Sequence, residues 1–171
     1  LVFADATPSN DTTACGEKVI LRANLSLLSE LSEYKQRSAQ GIGLFRTEFL
    51  FLRETSWPNE DAQYALYRQI VEQVAPEEVT FRSADIGADK PLGCFPIPAE
   101  NNPQLGWRGA RILLDHRHLF IEQLQAFLRA SVHGRLRVMI PMLSTYEEIQ
   151  IVRQCFQEAQ NNLRKRGISF D

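Results

Sequence analysis

Cysteine is scarce in this chain of 171 residues, and its spacing suits no structural role. Cys15, Cys94 and Cys155 are an odd number at wide spacings, and no C-x-x-C pair occurs. The pattern argues against a disulfide framework and against a zinc site. We therefore expect reduced thiols in a cytoplasmic protein, each interpreted as a small buried hydrophobic residue and not as a nucleophile.

Long apolar runs and an excess of positive charge are lacking as well. No apolar run approaches the ~18 residues of a membrane span, and the formal net charge of -2 gives no basic footprint for nucleic acid. No basic segment precedes residues 1–3, which are too few for a signal peptide. The chain also lacks an initiating methionine, so we expect it to begin inside a longer protein.

What the chain does contain is enough apolar material for a folded core. It is 44% hydrophobic and 23% charged, a composition typical of a globular domain. Residues 1–17 include a stretch rich in Ser, Thr, Asn and Asp, and we interpret them as an entry loop or linker. Beyond that point, sequence patterns predict four strands, at residues 19–24, 41–45, 79–82 and 136–140. They also predict five helices. The first covers residues 26–39, the second begins at Asn59, the third runs through Leu113 and Leu114, the fourth begins at about Arg117, and the fifth follows a capping box at residues 144–147.

The order of these elements predicts an α/β fold with a parallel sheet, because each strand is followed by a helix. An open doubly wound sheet and part of a (β/α)₈ barrel both fit this order. A full barrel needs roughly 250 residues, so a barrel would make this chain the N-terminal half of one, with about four β/α units. Residues 84–109 form a long loop of little periodicity, and loops of that length are often functional.

Arg46 is the first candidate site residue. It stands where the predicted second strand ends, after an apolar, Gly-rich run. A buried guanidinium needs an anionic partner, because removing it from water unpaired costs several kcal/mol. Glu48 or another local carboxylate could supply that partner, and so could a bound phosphate or carboxylate, which the planar guanidinium holds by two hydrogen bonds.

A second arginine strengthens the anion-site hypothesis. Arg82 ends the predicted third strand, and the carboxyl ends of parallel strands meet at one rim where ligands bind. Two like charges at one rim are poorly placed unless something negative lies between them, and a phosphorylated small acid would serve. The same rim collects further polar residues from strand ends and from the long loop: Asn24, Asp85, Asp89, Lys90 and Arg108.

Other polar residues carry weaker signals. Asp85 and Asp89 do not define a metal site by themselves, and we expect them to pair with Lys90 or with a rim arginine. The sequence Gly41-x-Gly43 precedes a strand and lacks the third glycine of a phosphate-binding fingerprint. We expect the three histidines to cap helices or face solvent, with the last of them at a helix C-terminus: His116, His118 and His133.

Three stretches together resemble a known family. Residues 41–51 read G-I-G-L-F-R-T-E-F-L-F, residues 82–91 read R-S-A-D-I-G-A-D-K-P, and residues 102–111 read N-P-Q-L-G-W-R-G-A-R. In order and spacing they resemble the signatures of phosphoenolpyruvate-utilising enzymes, most specifically enzyme I of the bacterial sugar phosphotransferase system and the enzyme I-like region of multiphosphoryl transfer proteins. The likeness extends through residues 136–142 and covers nearly the whole chain.

The resemblance implies that residues 1–171 are part of a (β/α)₈ barrel that binds phosphoenolpyruvate and Mg²⁺. In the family, the phosphoryl group passes to a histidine on a swivelling domain and then to a phosphocarrier protein, which starts sugar uptake. Arg46 and Arg82 match the arginines that hold the phosphate, and Arg108 matches a further arginine at the site. We expect the supporting positions to be Asn24, Asp85 and Lys90.

The same resemblance implies that this chain alone is inactive. The family's phospho-accepting histidine lies before it, and the metal ligands and the proton-donating cysteine lie after it, so we expect no catalytic and no metal-ligating residue here. Two departures from the family pattern are Ser83 for Thr and Ala88 for Gly. The second would be strained if the loop required a positive φ at that position.

Two other functions remain as alternatives to a phosphoenolpyruvate-protein phosphotransferase. One is a half-barrel that serves only in assembly, and the other is an enzyme like pyruvate phosphate dikinase or phosphoenolpyruvate synthase. Half a barrel also leaves edge strands open, so we expect the chain to self-associate through its first and fourth strands.

Overall fold

The computed structural model of the chain describes residues 12–36, 39–51, 54–89, 93 and 95–171. Lys90, Cys94 and most of the predicted linker at residues 1–17 lie outside these residues. Within them there are four strands, five α-helices and one 3₁₀ helix. The strands are β1 (Ala23–Leu25), β2 (Ile42–Arg46), β3 (Val79–Arg82) and β4 (Leu136–Met139), and the helices are α1 (Glu30–Gln36), the 3₁₀ helix Thr47–Phe51, α2 (Glu60–Val74), α3 (Ala110–Asp115), α4 (Arg117–Ser131) and α5 (Tyr146–Lys165).

The four strands form one parallel sheet in the order β1-β2-β3-β4. The predicted parallel α/β fold is therefore confirmed. A doubly wound sheet reverses its strand order at one point, whereas a barrel adds each strand beside the previous one. The sequential order is that of a barrel half, with β1 and β4 at the two edges of the described sheet.

The start of the sheet differs from the prediction. β1 covers only Ala23–Leu25, and its backbone meets the chain before β2 where Ala23 N donates to Gly41 O at 3.0 Å. Val19, Ile20 and Leu21, which the sequence placed in the strand, are 39%, 59% and 47% exposed. An apolar run predicts a strand only where a neighbouring strand or helix covers it, and these three residues have little cover.

Local helix signals were mostly reliable. Asn59 caps α2 as predicted, since its side-chain oxygen accepts a hydrogen bond from Ala62 N at 2.9 Å. The capping box of α5 lies one residue later than predicted. Thr145, not Ser144, is the N-cap, and its hydroxyl and the Glu148 carboxylate satisfy each other's backbone N–H groups at 3.2 and 3.0 Å.

An aromatic cluster joins the sheet to α2 and α4. The ring centroids of Phe45 in β2 and Phe81 in β3 lie 5.7 Å apart, and the ring of Tyr67 stacks on that of Phe127 with 4.5 Å between the centroids. All four are fully buried. Each such aromatic pair adds about 1 kcal/mol beyond its area burial. The cluster therefore fixes β2 and β3, and with them the rim at their carboxyl ends.

The long loop after β3 is packed against a small core of its own. Phe51, Ile86, Phe95 and Ile112 are buried together there, and Trp57 lies 5.1 Å from the ring of Phe51. This second core anchors both ends of the loop beside the 3₁₀ helix that follows β2. Among the described helices, none has the length and apolar character needed to span a membrane.

Candidate functional site

Arg46 and Arg82 stand side by side at the carboxyl edge of the sheet. They are register partners in the last pair between β2 and β3. Arg46 has neither a hydrogen bond nor an ion pair within the described part of the chain; its guanidinium lies over the Phe49 ring at 5.0 Å, and its buried Nε has no acceptor. The buried Nε of Arg82 lacks an acceptor as well, so the difference between the two arginines is that only Arg82 has a carboxylate partner among the described residues.

Arg82 is held by two carboxylates. Its Nη2 donates to Glu48 Oε1 in a short ion pair, and its Nη1 lies 3.3 Å from Asp85 Oδ2. The side chains of Arg82 and Glu48 are 13% and 3% exposed, so this pair is shielded from water. The sequence offered Glu48 as a partner for Arg46, but the 3₁₀ turn after β2 brings its carboxylate to the neighbouring strand's arginine.

Asp85 links Arg82 to Arg108. Arg108 grips Asp85 with two hydrogen bonds, from Nε to Oδ1 at 3.2 Å and from Nη2 to Oδ2 at 3.1 Å. The prediction that Asp85 pairs with a rim arginine is confirmed. Because one carboxylate serves two guanidiniums, the positions of these two arginines depend on each other.

Arg108 is also fixed from the other side. Its Nη1 donates to Gln104 Oε1 at 2.8 Å and lies 3.3 Å from Asp89 Oδ1, while Gln104 Nε2 donates to Asp89 Oδ2 at 2.8 Å. Burial lowers the pKa of Arg108, but Asp85 and Asp89 outweigh it and raise the pKa above its usual value. Its charge is therefore permanent, and only 4% of its side chain is exposed.

Close packing around Asp85 explains one glycine of the loop. Gly109 has φ 52°, and a Cβ there would lie 3.2 Å from Asp85 Oδ1 and 3.1 Å from Met142 Cγ. Met142 is itself the one non-glycine residue with positive φ among the described residues, at 66°. Ala88 is therefore not in the left-handed region, and the strain considered for it does not arise.

A buried polar network lies behind the two strand-end arginines. Gln123 of α4 donates from Nε2 to Thr47 Oγ1 at 3.2 Å and to the Tyr67 hydroxyl at 3.0 Å, and its Oε1 accepts from Ala84 N at 3.0 Å. Thr47 Oγ1 donates to Arg82 O at 2.8 Å. Sequence reasoning missed this network; the available signal was the polar side chain of Gln123 among the apolar residues of α4.

The remaining predicted residues stand apart from this cluster. Asn24 is exposed in β1 opposite Leu44, two residues before the level of Arg46. His116 lies between α3 and α4, and His133 follows α4, where it lies 2.9 Å from the Tyr64 hydroxyl. Cys155 is a buried free thiol, as expected, whereas Cys15 is an exposed free thiol, so the expectation of a buried residue is wrong there.

The described residues do not fit a magnesium site. They contain no group of three or more His, Cys, Asp or Glu side chains that could hold a metal ion. Both oxygens of Asp85 are already taken up by Arg108. Mg²⁺ is bound through carboxylate oxygens, and Asp85 has none left to offer it.

Comparison with known proteins identifies one family. A family model described as "PEP-utilising enzyme, PEP-binding domain" matches residues 4–171. The chain is similar to phosphoenolpyruvate-protein phosphotransferases of Mycoplasma pneumoniae, 38% identical over 96% of this chain and 30% of the relative, and of Haemophilus influenzae, 41% identical over 93% and 28%. It is also 42% identical to multiphosphoryl transfer protein 2 of Escherichia coli, over 93% of this chain and 19% of that protein. The chain thus spans less than a third of the length of these relatives.

Proposed function

Because the chain belongs to the family of PEP-binding domains of PEP-utilising enzymes, we propose that it forms part of the phosphoenolpyruvate site of a phosphoenolpyruvate-protein phosphotransferase. In the full-length protein, this site delivers the phosphoryl group to a histidine on a separate swivelling domain. A phosphocarrier protein in the cytoplasm then receives it, and sugar uptake follows. The names of these relatives support a transfer from phosphoenolpyruvate to protein.

The observation that carries this proposal is the unpaired Arg46 beside Arg82. Arg46 has no carboxylate partner among the described residues, although its Nε is buried, whereas Arg82 is already paired. A phosphate oxygen that enters between them would supply the missing acceptor. Two planar guanidiniums hold phosphate by parallel hydrogen bonds, a geometry that a single point charge cannot provide.

The carboxylates around Arg82 and Arg108 have a positioning role in this proposal. Glu48, Asp85 and Asp89 balance the charges of the arginines when no substrate is bound and hold their donors in fixed directions. Phosphoryl transfer depends on such positioning and on neutralising charge on the equatorial oxygens. A fixed donor of this kind is worth about 3–4 kcal/mol in the transition state.

We propose that Arg46 and Arg82 hold the phosphate directly and that Arg108 completes the positive rim. Arg108 donates from Nε and Nη2 to Asp85 and from Nη1 to Gln104 and Asp89, so a substrate contact would use the remaining N–H of Nη2. Asn24, Asp85 and Lys90 are proposed as supporting residues. Mg²⁺ belongs to this proposal only through ligands supplied elsewhere in the full-length protein.

Titration of the chain with phosphoenolpyruvate tests the proposal. Arginine side-chain NMR signals should shift for Arg46 and Arg82 on addition of millimolar phosphoenolpyruvate, less on addition of inorganic phosphate, and not on addition of pyruvate. Arg46→Ala should abolish the response. Arg68→Ala removes an exposed arginine paired with Glu72 on α2 and serves as the matched control. Equal responses to pyruvate and phosphoenolpyruvate would contradict a phosphate site.

The alternatives make different predictions in the same titration. A half-barrel that serves only in assembly has no need of an unpaired arginine at the rim and should ignore phosphoenolpyruvate. An enzyme like pyruvate phosphate dikinase or phosphoenolpyruvate synthase would bind phosphoenolpyruvate but transfer its phosphoryl group to a nucleotide and not to a carrier protein. A transfer assay on the full-length protein with both acceptors separates these two functions.

A further inference from the structure

We propose that Gln123 is a positioning residue for the phosphate site, which sets the spacing of Arg46 and Arg82 from behind the sheet. The proposal rests on the function proposed above and extends it to a residue on α4 that makes no ion pair at the rim. Gln123 is fully buried, and its side-chain amide reaches residues that follow both strands.

The backbone pairing of β2 and β3 stops at the two arginines, and side chains continue it. Beyond the Arg46–Arg82 pair, Thr47 Oγ1 donates to Arg82 O at 2.8 Å. Gln123 then joins Thr47, which directly follows Arg46, to Ala84 N, two residues after Arg82. Its amide therefore ties the two strand ends together at the point where the sheet no longer does so.

The direction of each hydrogen bond that links Ala84, Gln123, Thr47 and Arg82 is determined. Ala84 N can only donate, so the Gln123 oxygen must face it and the Gln123 nitrogen must face Thr47. Arg82 O can only accept, so the Thr47 hydroxyl proton points to it. A buried network whose members are all satisfied makes the residues that it joins rigid.

Tyr67 anchors the amide on its other side. The Tyr67 hydroxyl accepts from Gln123 Nε2 and donates to Gln63 Oε1 at 3.0 Å, and Gln63 Nε2 donates to Pro58 O at 2.6 Å. Burial raises the pKa of Tyr67, so its hydroxyl keeps its proton as the donor that this arrangement requires. Each hydrogen of the Gln123 amide has an acceptor, and a shorter or apolar side chain would leave Ala84 N and Thr47 unsatisfied inside the protein.

Substitution of Gln123 by Met tests the proposal, because Met keeps the length and removes the amide. We expect the dissociation constants of phosphoenolpyruvate and inorganic phosphate, measured by titration of the chain, to rise about tenfold, the effect of losing about one hydrogen bond from the guanidiniums to the phosphate. Gln125→Met is the matched control. It removes another buried amide of α4, which contacts Glu60 and Asn162 and not the strand ends, and it should lower the melting temperature without changing the dissociation constants.

Substitutions at Thr47 separate positioning from simple loss of stability. Thr47→Ser keeps the hydroxyl and should bind phosphate as the wild type does, whereas Thr47→Val should weaken binding as Gln123→Met does. The double variant should be no weaker than either single variant, because both changes break one network. These variants also decide the question if Gln123→Met does not fold.

The possible failures are distinct. Failure of the wild-type chain to bind either anion would overturn the proposed function and this inference together. Wild-type binding that is lost in Arg46→Ala but unchanged within twofold in Gln123→Met and Thr47→Val would overturn only the role of Gln123.

Discussion

Arg46 and Arg82 face each other across the last pair of β2 and β3, yet only Arg82 has a carboxylate partner among the described residues. Two neighbouring guanidiniums repel each other, and the Glu48 and Asp85 carboxylates relieve this for one of them. Arg46 has no such carboxylate, and the buried Nε atoms of both arginines lack an acceptor. In the proposed phosphate site, such a pair would offer one guanidinium without a carboxylate partner and one that carboxylates already hold in place.

Removal of either arginine should therefore slow phosphoryl transfer in the full-length protein. We expect Arg46→Ala and Arg82→Ala each to reduce turnover by about 10²–10³, the effect of losing one fixed transition-state donor. Arg46→Lys should also be costly, because a lysine cannot reproduce the two-pronged hydrogen bonding. Steady-state kinetics on the full-length protein provide the measurement, and Arg68→Ala provides the control. Near-normal turnover of Arg46→Lys would show that the site uses charge and not geometry.

The chain by itself should bind but not transfer. It carries the three rim arginines, whereas its described residues offer no metal-ligand group. We expect millimolar binding of phosphoenolpyruvate, about -4 kcal/mol, and no phosphorylation of a carrier protein. Isothermal titration and a radiolabel transfer assay measure the two quantities. Transfer by the 171-residue chain alone would contradict the expectation.

The sequence predicted the strands that carry the site better than the contacts between its side chains. β3 has the predicted bounds, Val79–Arg82, because Val, Thr and Phe are residue types that favour strands. β1 was placed too early, since exposure of Val19, Ile20 and Leu21 depends on what covers them and not on their own pattern. Local periodicity indicates which element forms, but only the assembled sheet determines which part of it is paired.

Contacts across elements were the part that sequence could not supply. Glu48 is two residues from Arg46, and proximity along the chain suggested that the two would pair. The turn after β2 instead directs its carboxylate to Arg82, 34 residues away. Gln123 could be seen as a polar residue on an apolar helix face, but its partners at Thr47 and Ala84 are 76 and 39 residues distant. Such pairings follow from the packing of α4 on the sheet.

Gly109→Ala should damage the site more than its backbone strain alone explains. A side chain at positive φ costs about 1–2 kcal/mol, and here the new Cβ would also press on Asp85 Oδ1 at 3.2 Å. Gly167→Ala is the matched control, because Gly167 has φ 67° and nothing within 4 Å of its Cβ position. Urea unfolding should show a loss for both variants and a larger one for Gly109→Ala, because Gly109 has ψ -125° with its positive φ and its Cβ would have close contacts. Phosphoenolpyruvate titration should show weaker binding for Gly109→Ala only. Equal binding by the two variants would mean that Asp85 adjusts freely.

Glu60 should make stability depend on acidity. Its carboxylate contacts Arg129 and Arg166 at 2.6 Å each and thereby joins α2 to α4 and to the end of α5. Burial raises the pKa of Glu60, but Arg166 and Arg129 outweigh it and bring the pKa below the usual 4.5. A lowered pKa in the folded state stabilises the protein above the unfolded pKa, and this contribution is lost as the pH falls through the folded value.

Glu60→Gln should accordingly reduce the free energy of unfolding by about 1–3 kcal/mol near neutral pH. The difference from wild type should shrink as the pH falls through the lowered pKa of the folded state, where the wild-type carboxylate also becomes protonated. Denaturant unfolding across this range gives the measurement. Glu158→Gln, which removes an exposed partner of Arg117, should change stability little at any pH. A difference that stays constant with pH would assign the effect to packing and not to charge.

The open edges of the sheet should drive self-association of the isolated chain. In the described sheet, β1 and β4 each have a neighbour on one side only, so their outer backbone groups are free to pair with another strand. The residues before β1 add apolar surface, with Ile20 59% exposed, and beside β4 a cavity of 170 Å³ is lined mainly by apolar side chains such as Phe127 and Val138. Exposed patches of this kind bind partners.

The most ordered product would be a pair of chains in which β1 of each copy meets β4 of the other, so that eight strands close as in a barrel. Sedimentation at micromolar concentration measures the assembly, and a hydrophobic dye reports the apolar surface that remains open. Ile20→Lys should weaken association because it places a charge beside β1, while Ile149→Lys, at a 39% exposed position on α5, should leave it unchanged. A stable monomer that binds no hydrophobic dye would contradict this prediction, because the four-stranded unit would then have to cover its own edges.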